Sequence, residues 1–292
     1  MTTVFMFTGK GGVGKTTCSA ATALHFSSRG ESTLAISTDA TPSLSHIFET
    51  EEHDAPPSLT IREIGESEIK EMWDNKFGGE MYEVFSTFVD INYESFVEFM
   101  TSVLPGLGEE FMVDYIRLQA REGSHRNIVW DTAPLGQTLS LLATPALLGN
   151  HLKMAPRIYS KLRLGKQSRE PVLDILKRWE VLSGENMDFL KNDVDFSIVT
   201  IPEALAVAQL EGVFRELGKY GLSVKRIIVN NVVKEPDSDF LRTRSRQQQE
   251  YLKHIRENYS YLDIIEIPMF PQEVKGIKKL IEVDKILFQG GN

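Results

Sequence analysis

The segment Gly9-Lys10-Gly11-Gly12-Val13-Gly14-Lys15-Thr16 is the most informative part of this sequence, because an apolar run precedes it and a helical pattern follows it. The run Thr3-Val-Phe-Met-Phe-Thr8 is almost continuously apolar, as expected for a strand covered on both faces. A strand, a turn of the form G-x-x-x-x-G-K-[ST] and a helix together predict a phosphate-binding loop. A glycine-rich turn that binds nothing is the competing interpretation, and the agreement of pattern with context favours the loop.

Each residue type in this segment has a physical role toward a nucleotide. The glycines allow successive backbone N–H groups to turn toward the phosphates, and the start of the helix adds its positive dipole end. Lys15 is expected to reach the β- and γ-phosphates, while the Thr16 hydroxyl binds Mg²⁺. The predicted cofactors are therefore ATP and Mg²⁺. The predicted cofactor-binding residues of the segment are Gly11, Gly12, Val13, Gly14, Lys15, Thr16 and Thr17.

Two aspartates follow predicted strands and are candidates for the chemistry of hydrolysis. Asp131 ends the apolar run Ile128-Val-Trp-Asp131, where a carboxylate that faces the phosphates can hold a water on Mg²⁺. Asp39 follows the second predicted strand, at the same carboxyl edge of a doubly wound sheet as the phosphate loop. We hypothesise that Asp39 orients or deprotonates the attacking water. For both aspartates, a turn or helix-capping role is the alternative.

The chain as a whole alternates short apolar runs with longer amphipathic stretches, which is typical of parallel strands joined by crossover helices. We predict an α/β fold, with a doubly wound and mostly parallel sheet of the P-loop NTPase type. The predicted strands are residues 3–8, 32–37, 126–131, 194–201, 224–229 and 262–267.

About ninety residues separate the second predicted strand from the third, far more than one crossover connection requires. Most of them have helical spacing, and a second helical stretch is expected after Pro145, to about Asn192. We therefore expect a helical insertion subdomain beside an ATPase core. The insertion comprises residues 66–122 and 146–192, and the core comprises residues 1–65, 123–145 and 193–292.

Composition excludes several functional classes. There are 32 Lys and Arg residues against 41 Asp and Glu residues, for a net charge of −9, which disfavours nucleic acid as the main partner. No apolar run approaches the roughly 20 residues that a membrane-spanning helix needs, and the first strand leads directly into the loop, so we expect a cytoplasmic protein. The single cysteine, Cys18, excludes an internal disulfide and a cysteine-rich metal site.

Five separated segments resemble those of the arsenical pump-driving ATPases and of their relatives, the ATPases that target tail-anchored membrane proteins. The segments lie in chain order across nearly the whole sequence. They are Lys10-Gly-Gly-Val-Gly-Lys15-Thr16, Ser37-Thr-Asp39-Ala-Thr-Pro-Ser-Leu-Ser45, Asp131-Thr-Ala-Pro-Leu-Gly136-Gln-Thr-Leu139, Ile228-Val-Asn230-Asn231 and Ile267-Pro268-Met-Phe-Pro-Gln-Glu273-Val-Lys-Gly276.

The resemblance implies further roles. Asp39 would be the switch I carboxylate, and the turn from Asp131 to Gly136 would be switch II, which senses the γ-phosphate. Asn230 would contact adenine, with Pro268 and Phe270 in the loop that closes that pocket. The chain would be a homodimer in which Lys10 reaches the partner's nucleotide, so the implied catalytic residues are Asp39, Lys10 and Lys15. A solvated lysine is the alternative for Lys10.

The sequence also departs from this family's pattern. Asp39 is followed by Ala40-Thr41-Pro42, where the family often has Pro-Ala-His, and Gln137 replaces a usual histidine. Neither change removes a phosphate or magnesium ligand, so ATP hydrolysis remains the prediction. The region from Glu235 to Gln249 lacks the paired cysteines that hold a zinc ion between the subunits of many targeting members. A dimer would therefore depend on other contacts, or form only with nucleotide bound.

Two uses of ATP compete, and a third ranks below them. The helical insertion could form an apolar groove that captures a transmembrane segment. Alternatively, the ATPase energises an export pump for arsenite or another anion, although Cys18 alone cannot form the thiolate site that a metalloid requires. A partitioning ATPase ranks last, because the C-terminal residues 285–292 are too short and too weakly charged for a membrane-binding tail.

The expected partners are a second copy of the chain and either a hydrophobic client segment or a membrane pump or receptor. The cationic stretch from Lys153 to Arg169 contains no acid and suits peripheral contact with a membrane, or is a solvated helix face. The insertion also has flexible apolar side chains that suit a groove, although each one singly fits the insertion's own core better. These are Met72, Met81, Phe85, Phe88, Phe96, Phe99, Met100 and Met112.

Overall fold

The computed structural model describes most of the chain. The described residues are 2–38, 44–49, 55–86, 90–103, 107–133, 135–159 and 166–289.

Seven parallel strands form one sheet in the order β3-β2-β4-β1-β5-β6-β7. The first strand therefore lies at the centre, as its continuous apolar character predicts. This topology confirms the predicted α/β class. The strands are β1 (Thr3–Gly9), β2 (Thr33–Ser37), β3 (Leu59–Glu63), β4 (Asn127–Asp131), β5 (Val194–Thr200), β6 (Val224–Val232) and β7 (Asp263–Pro268).

Eleven helices are present in the described part of the chain, together with one π-helical segment at Asp74–Gly78. They are α1 (Lys15–Ser27), α2 (Leu44–Phe48), α3 (Glu66–Trp73), α4 (Gly79–Phe85), α5 (Tyr93–Val103), α6 (Leu107–Glu122), α7 (Leu135–Tyr159), α8 (Lys166–Asn192), α9 (Ala204–Lys219), α10 (Asp239–Asn258) and α11 (Gly276–Gln289).

The chain divides into two compact units. The core unit comprises Met1–Ile64, Gln119–Leu139 and Asp193–Asn292, and it contains the whole sheet. The helical unit comprises Gly65–Leu118 and Ser140–Asn192.

Helix α1 is the central packing element of the core unit. Cys18, Ala21 and Leu24 are buried in one apolar cluster with sheet residues such as Val129. Small side chains in this helix allow its backbone to approach the sheet closely. Removal of a side chain such as Leu24 from water contributes roughly 1.5–3 kcal/mol, and this packing fixes the helix start where the phosphate loop ends.

The helical unit contains charge in its interior. The Asp114 carboxylate and the Arg117 guanidinium are both buried and are joined at 2.7 Å, and Lys76 also pairs with Asp114. Arg117 donates further to the side chain of Asn186 at 2.7 Å and to Glu185 at 2.5 Å. Since a buried charge without partners is costly, this network requires α6 and α8 to stay in register.

Two local predictions differ from the structure. β3 was not predicted, because its burial alternates at the edge of the sheet instead of running continuously. The second helical stretch was expected to follow Pro145, but α7 begins at Leu135 and runs through this proline. Proline has no N–H group to donate within the helix. The Ser183 hydroxyl of α8 donates to the carbonyl oxygen of Pro145.

Candidate nucleotide site

The phosphate loop connects β1 to α1 through glycines in a conformation that other residues seldom adopt. Gly12 has φ 78° and Gly14 has φ 100°, both in the left-handed region. Gly14 caps the N-terminus of α1, and Lys15 is its first residue. The Lys15 ammonium lies 3.4 Å from the carbonyl oxygen of Lys10, over the loop itself. Backbone amides, a helix N-terminus and a cation therefore converge, as a polyphosphate requires.

The two predicted metal residues lie together. The Thr16 hydroxyl donates to the Asp131 carboxylate over 2.8 Å, although 115 residues separate them in sequence. Asp131 is buried at the carboxyl end of β4, in register with Phe7 of β1. A hydroxyl and a carboxylate oxygen at the start of α1 are hard ligands of the kind that Mg²⁺ prefers. The residues present therefore fit this ion.

The side chain of Asn230, on β6, contacts the phosphate loop. Its side-chain nitrogen donates to the carbonyl oxygen of Val13 over 2.9 Å. The fit is close, because a Cβ atom at Gly14 would lie 2.3 Å from that nitrogen. Asn230 lies in an irregularity of β6, where its pairing with β7 shifts between Val229 and Val232.

A cavity of about 610 Å³ extends between these residues. Its volume is in the range of small-molecule and cofactor sites. The predicted residues that line it are Gly12, Gly14, Thr16, Thr17, Asn230 and Phe270. The loop after β7 contributes most of one wall, with Pro271 to Lys275.

The other predicted residues have different positions. Val13 is buried and contributes its carbonyl group, while Gly11, Pro268 and Gly136 are outside the cavity's described lining. Lys10 is exposed on the loop. Asp39, with residues 40–43, lies outside the described residues.

Several residues of the site were missed by the sequence analysis. His46 of α2 lines the cavity, and its nearness to the segment Ser37 to Ser45 was the only available signal. Trp130 donates its indole N–H to the Thr38 hydroxyl over 3.1 Å, and the Thr38 amide donates to the carbonyl of Asp131 over 3.1 Å. The strand end that precedes Asp39 is thus tied to the strand that ends at Asp131.

The backbone at Thr132 and Ala133, directly after β4, is also held by hydroxyl groups. Thr132 donates to the carbonyl oxygen of Phe7 over 2.7 Å, and Thr138 donates to that of Ala133 over 2.7 Å. The two hydroxyl oxygens are 3.0 Å apart. Buried hydroxyls with satisfied partners specify one backbone arrangement, so this segment has a defined shape next to Asp131.

A parallel sheet whose central strand leads through left-handed glycines into a helix, with a threonine and an aspartate paired at that helix start, defines the P-loop class of nucleotide-binding proteins. Among the described residues, no helix is both long and apolar enough to cross a lipid bilayer.

The sequence profile of the anion-transporting ATPases matches residues 2–289. This chain belongs to that family and is an ATPase, which confirms the resemblance seen in the sequence. A protein of Aquifex aeolicus (strain VF5) named after the arsenical pump-driving ATPases is 33% identical over 296 residues, covering 97% of this chain and 98% of the relative. ATPase GET3B of Arabidopsis thaliana is 30% identical over 98% of this chain and 78% of its own length. ATPase get3 of Neurospora crassa is 29% identical over 96% and 88%, respectively.

Proposed function

We propose that this ATPase is a magnesium-dependent, nucleotide-gated cytoplasmic homodimer that captures hydrophobic membrane-protein segments and delivers them to a membrane. The observation that carries the nucleotide part is the pairing of Thr16 with Asp131 at 2.8 Å, directly beside the phosphate loop. The oxygens of Thr16 and Asp131, with the backbone amides of the phosphate loop, suit a magnesium triphosphate.

Each residue of the site would have its own role in ATP hydrolysis. Thr16 would be a direct ligand of Mg²⁺, and Asp131 would hold one of its waters. When bound, Mg²⁺ neutralises charge on the β- and γ-phosphates. Lys15 neutralises the same phosphates from the loop, and Asp39 orients the attacking water and accepts its proton as the bond from γ-phosphorus to the ADP oxygen breaks. The anchoring of Thr38 by Trp130 supports this role, because it fixes the chain immediately before Asp39.

The side chain of Asn230 favours adenine over guanine as the base bound in the cavity. The nitrogen of the Asn230 amide is engaged by Val13, so the side-chain oxygen is the atom available to a base. That oxygen can accept a hydrogen bond from the exocyclic amino group of adenine, whereas guanine has a carbonyl oxygen at the same place. Phe270, in the same cavity, supplies an aromatic surface for the base.

Exposed side chains at one edge of the sheet support self-association. Leu205 and Phe240 are 59% and 71% exposed, and they begin the helices that follow β5 and β6. Because all strands are parallel, these helix starts lie at the same sheet edge as the phosphate loop. Arg244 and Glu203 form an ion pair at 2.9 Å beside them. A second copy would cover these apolar side chains and approach Lys10, without any cysteine-bound zinc.

The client part rests on the family resemblance and on the helical unit. Phe99, Leu147 and Val181 are exposed on α5, α7 and α8, and they offer apolar contacts for a hydrophobic helix. By contrast, Met81, Phe96 and Met112 are buried and belong to the unit's own core. Phe85, Phe88 and Met100 have side chains outside the described part of the structure, and among the other predicted groove residues Phe99 is the exposed one.

Energising an arsenite or other anion pump is the second candidate, and the name of the Aquifex relative favours it. Cys18 is fully buried behind the phosphate loop, so this thiol is not accessible to a metalloid. A pump partner would have to bind the anion itself. Arsenite should therefore leave ATP hydrolysis by the isolated protein unchanged, and stimulation that appears only when a membrane partner is present would support the pump and oppose the client role.

The dimer is tested by mass measurement on protein with Mg-ATP and then with Mg-ADP. The Asp39→Asn variant should hold ATP but hydrolyse it about 100-fold more slowly, so it should accumulate the ATP-bound dimer. Replacing Lys10 with Ala should abolish that dimer, while the matched control Lys253→Ala, an exposed lysine of α10, should not. A Lys10→Ala protein that dimerises and hydrolyses normally would refute the cross-dimer role.

The client role is tested by co-expression with a tail-anchored membrane segment. Phe99→Glu and Leu147→Glu should reduce recovery of the segment with the ATPase, because each charge enters the proposed contact surface. Tyr261→Glu is the control, at an aromatic side chain of the core unit that is more exposed than Phe99 or Leu147. Equal recovery with all three variants would reject the proposed surface.

A further inference from the structure

Gln248 is a buried polar side chain that makes two hydrogen bonds to one short piece of backbone. It lies on α10 and is 2% exposed. Its side-chain oxygen accepts from the amide of Val233 over 2.8 Å, and its side-chain nitrogen donates to the carbonyl of Asn231 over 3.0 Å. The glutamine amide thus replaces the ladder partners that a regular strand would provide at this point.

The backbone that Gln248 holds has an unusual conformation. Asn231 has φ 58°, in the left-handed region that residues other than glycine seldom adopt. The pairing of β6 with β7 is irregular at the same place. Such a bend persists only when its surroundings fix it. The two bonds of Gln248 contribute to this, together with the bond from the Ser245 hydroxyl to the Val233 carbonyl at 3.1 Å.

This bend positions two residues that line the cavity where the adenine base is proposed to bind, Asn230 and Phe270. Asn230 immediately precedes it and contacts Val13 of the phosphate loop. The carbonyl of Val232, inside the bend, accepts from the amide of Met269 over 2.9 Å, and Met269 directly precedes Phe270. The side-chain amide of Asn230 and the ring of Phe270 are therefore both positioned by this one backbone segment.

We propose that Gln248, which does not itself line the cavity, is a positioning residue that sets the selectivity of this ATPase for adenine over guanine nucleotides. The inference rests on the proposed function, because it takes Asn230 as the group that meets the base. Gln248 acts through the bend: it holds Asn231 in its left-handed conformation and so directs the Asn230 side chain. It takes no part in the chemistry at the γ-phosphate, so its loss should change base recognition and leave turnover intact.

The test compares steady-state hydrolysis of ATP and GTP by wild type and by Gln248→Met, which keeps the length of the side chain and removes both hydrogen bonds. KM for ATP should rise about 10-fold with kcat within about 2-fold, as expected for lost uniform binding. The ratio of kcat/KM for ATP to that for GTP should fall. The control Leu252→Ala, at a buried residue one turn further along α10, should lower the melting temperature and leave this ratio unchanged.

Gln248→Glu gives a second readout that a merely structural role would not produce. A protonated glutamic acid is isosteric with glutamine and can donate to the Asn231 carbonyl, whereas its carboxylate repels that oxygen. Burial raises the pKa of such a carboxyl, so the ratio should be near that of wild type at pH 6 and fall by pH 8.5, with the wild-type ratio constant.

The outcomes separate the two claims. A wild-type protein that does not prefer ATP over GTP overturns the proposed adenine site and this inference together. A wild type that prefers ATP, with Gln248→Met and Gln248→Glu variants that fold and discriminate as well as it does, overturns the role of Gln248 alone. A ratio that falls equally in Leu252→Ala also overturns it, because a general loss of packing would then be the cause.

Discussion

Replacing Gly14 with alanine tests the geometry of the phosphate loop most directly. At φ 100° an alanine side chain is strained, and its Cβ would lie 2.3 Å from the Asn230 side-chain nitrogen. An L-residue in the left-handed region costs roughly 1–2 kcal/mol. Displacement of Asn230 removes its bond to Val13, which contributes about 0.5–1.5 kcal/mol. We therefore expect the free energy of unfolding, measured by urea titration, to fall by about 1.5–3.5 kcal/mol.

The same variant should also bind Mg-ATP less tightly if Asn230 meets the base as proposed, because the new methyl group displaces the Asn230 side chain from its bond to Val13. Loss of one hydrogen bond, at about 1.4 kcal/mol, corresponds to a roughly tenfold higher Kd for Mg-ATP in calorimetric titration. Gly212→Ala is the matched control. Gly212 lies within α9, its Cβ would have no neighbour within 4 Å, and the change should stabilise the helix by up to about 1 kcal/mol. A Gly14→Ala protein with wild-type stability and affinity would refute this account of the loop.

Three other perturbations have defined outcomes. Arg117→Met removes one cationic partner of the buried Asp114 carboxylate and leaves Lys76. Because this carboxylate keeps a partner, we expect the free energy of unfolding in urea to fall by less than the roughly 3–5 kcal/mol that an unpaired buried charge costs. An unchanged midpoint would contradict the network. Burial raises the pKa of the Cys18 thiol, so a thiol reagent at pH 8 should label the native protein only as fast as it unfolds, and rapid labelling without denaturant would disprove its burial. Burial also raises the pKa of the Tyr259 hydroxyl, so its contribution to stability is complete below about pH 10 and is lost at higher pH. The free energy of unfolding in guanidinium should differ less between pH 9 and pH 10.5 for Tyr259→Phe than for wild type. The same difference in both proteins would exclude ionisation of Tyr259 as its cause.

The sheet was predictable where burial leaves a simple signal. β2 and β4 are buried at every position, and a continuous apolar run is the direct consequence. β3 gives no such signal, because an edge strand with Arg62 and Glu63 has the composition of an irregular segment. The start of α7 was also unpredictable, since a proline ordinarily marks a helix boundary and Pro145 lies in the interior of this helix.

The candidate site divides in a similar way. Residues of the phosphate loop are adjacent in sequence, so their spacing alone reveals their shared role. Gln248 and Trp130 act on backbone or side chains that are 17 and 92 residues away, and only the folded chain brings these groups together. A buried glutamine on an otherwise polar helix, in a segment with the sequence Arg246-Gln-Gln-Gln-Glu250, cannot be distinguished from its exposed neighbours by pattern.

The position of Trp130 has a practical consequence for observing this ATPase. The chain has three tryptophans, and Trp73 and Trp179 both belong to the helical unit. Conversion of those two to phenylalanine would leave a single emitter in the core unit, whose indole is bonded to Thr38. Its ultraviolet emission would then report, without any attached dye, on the hydrogen bonding of the strand end that directly precedes Asp39.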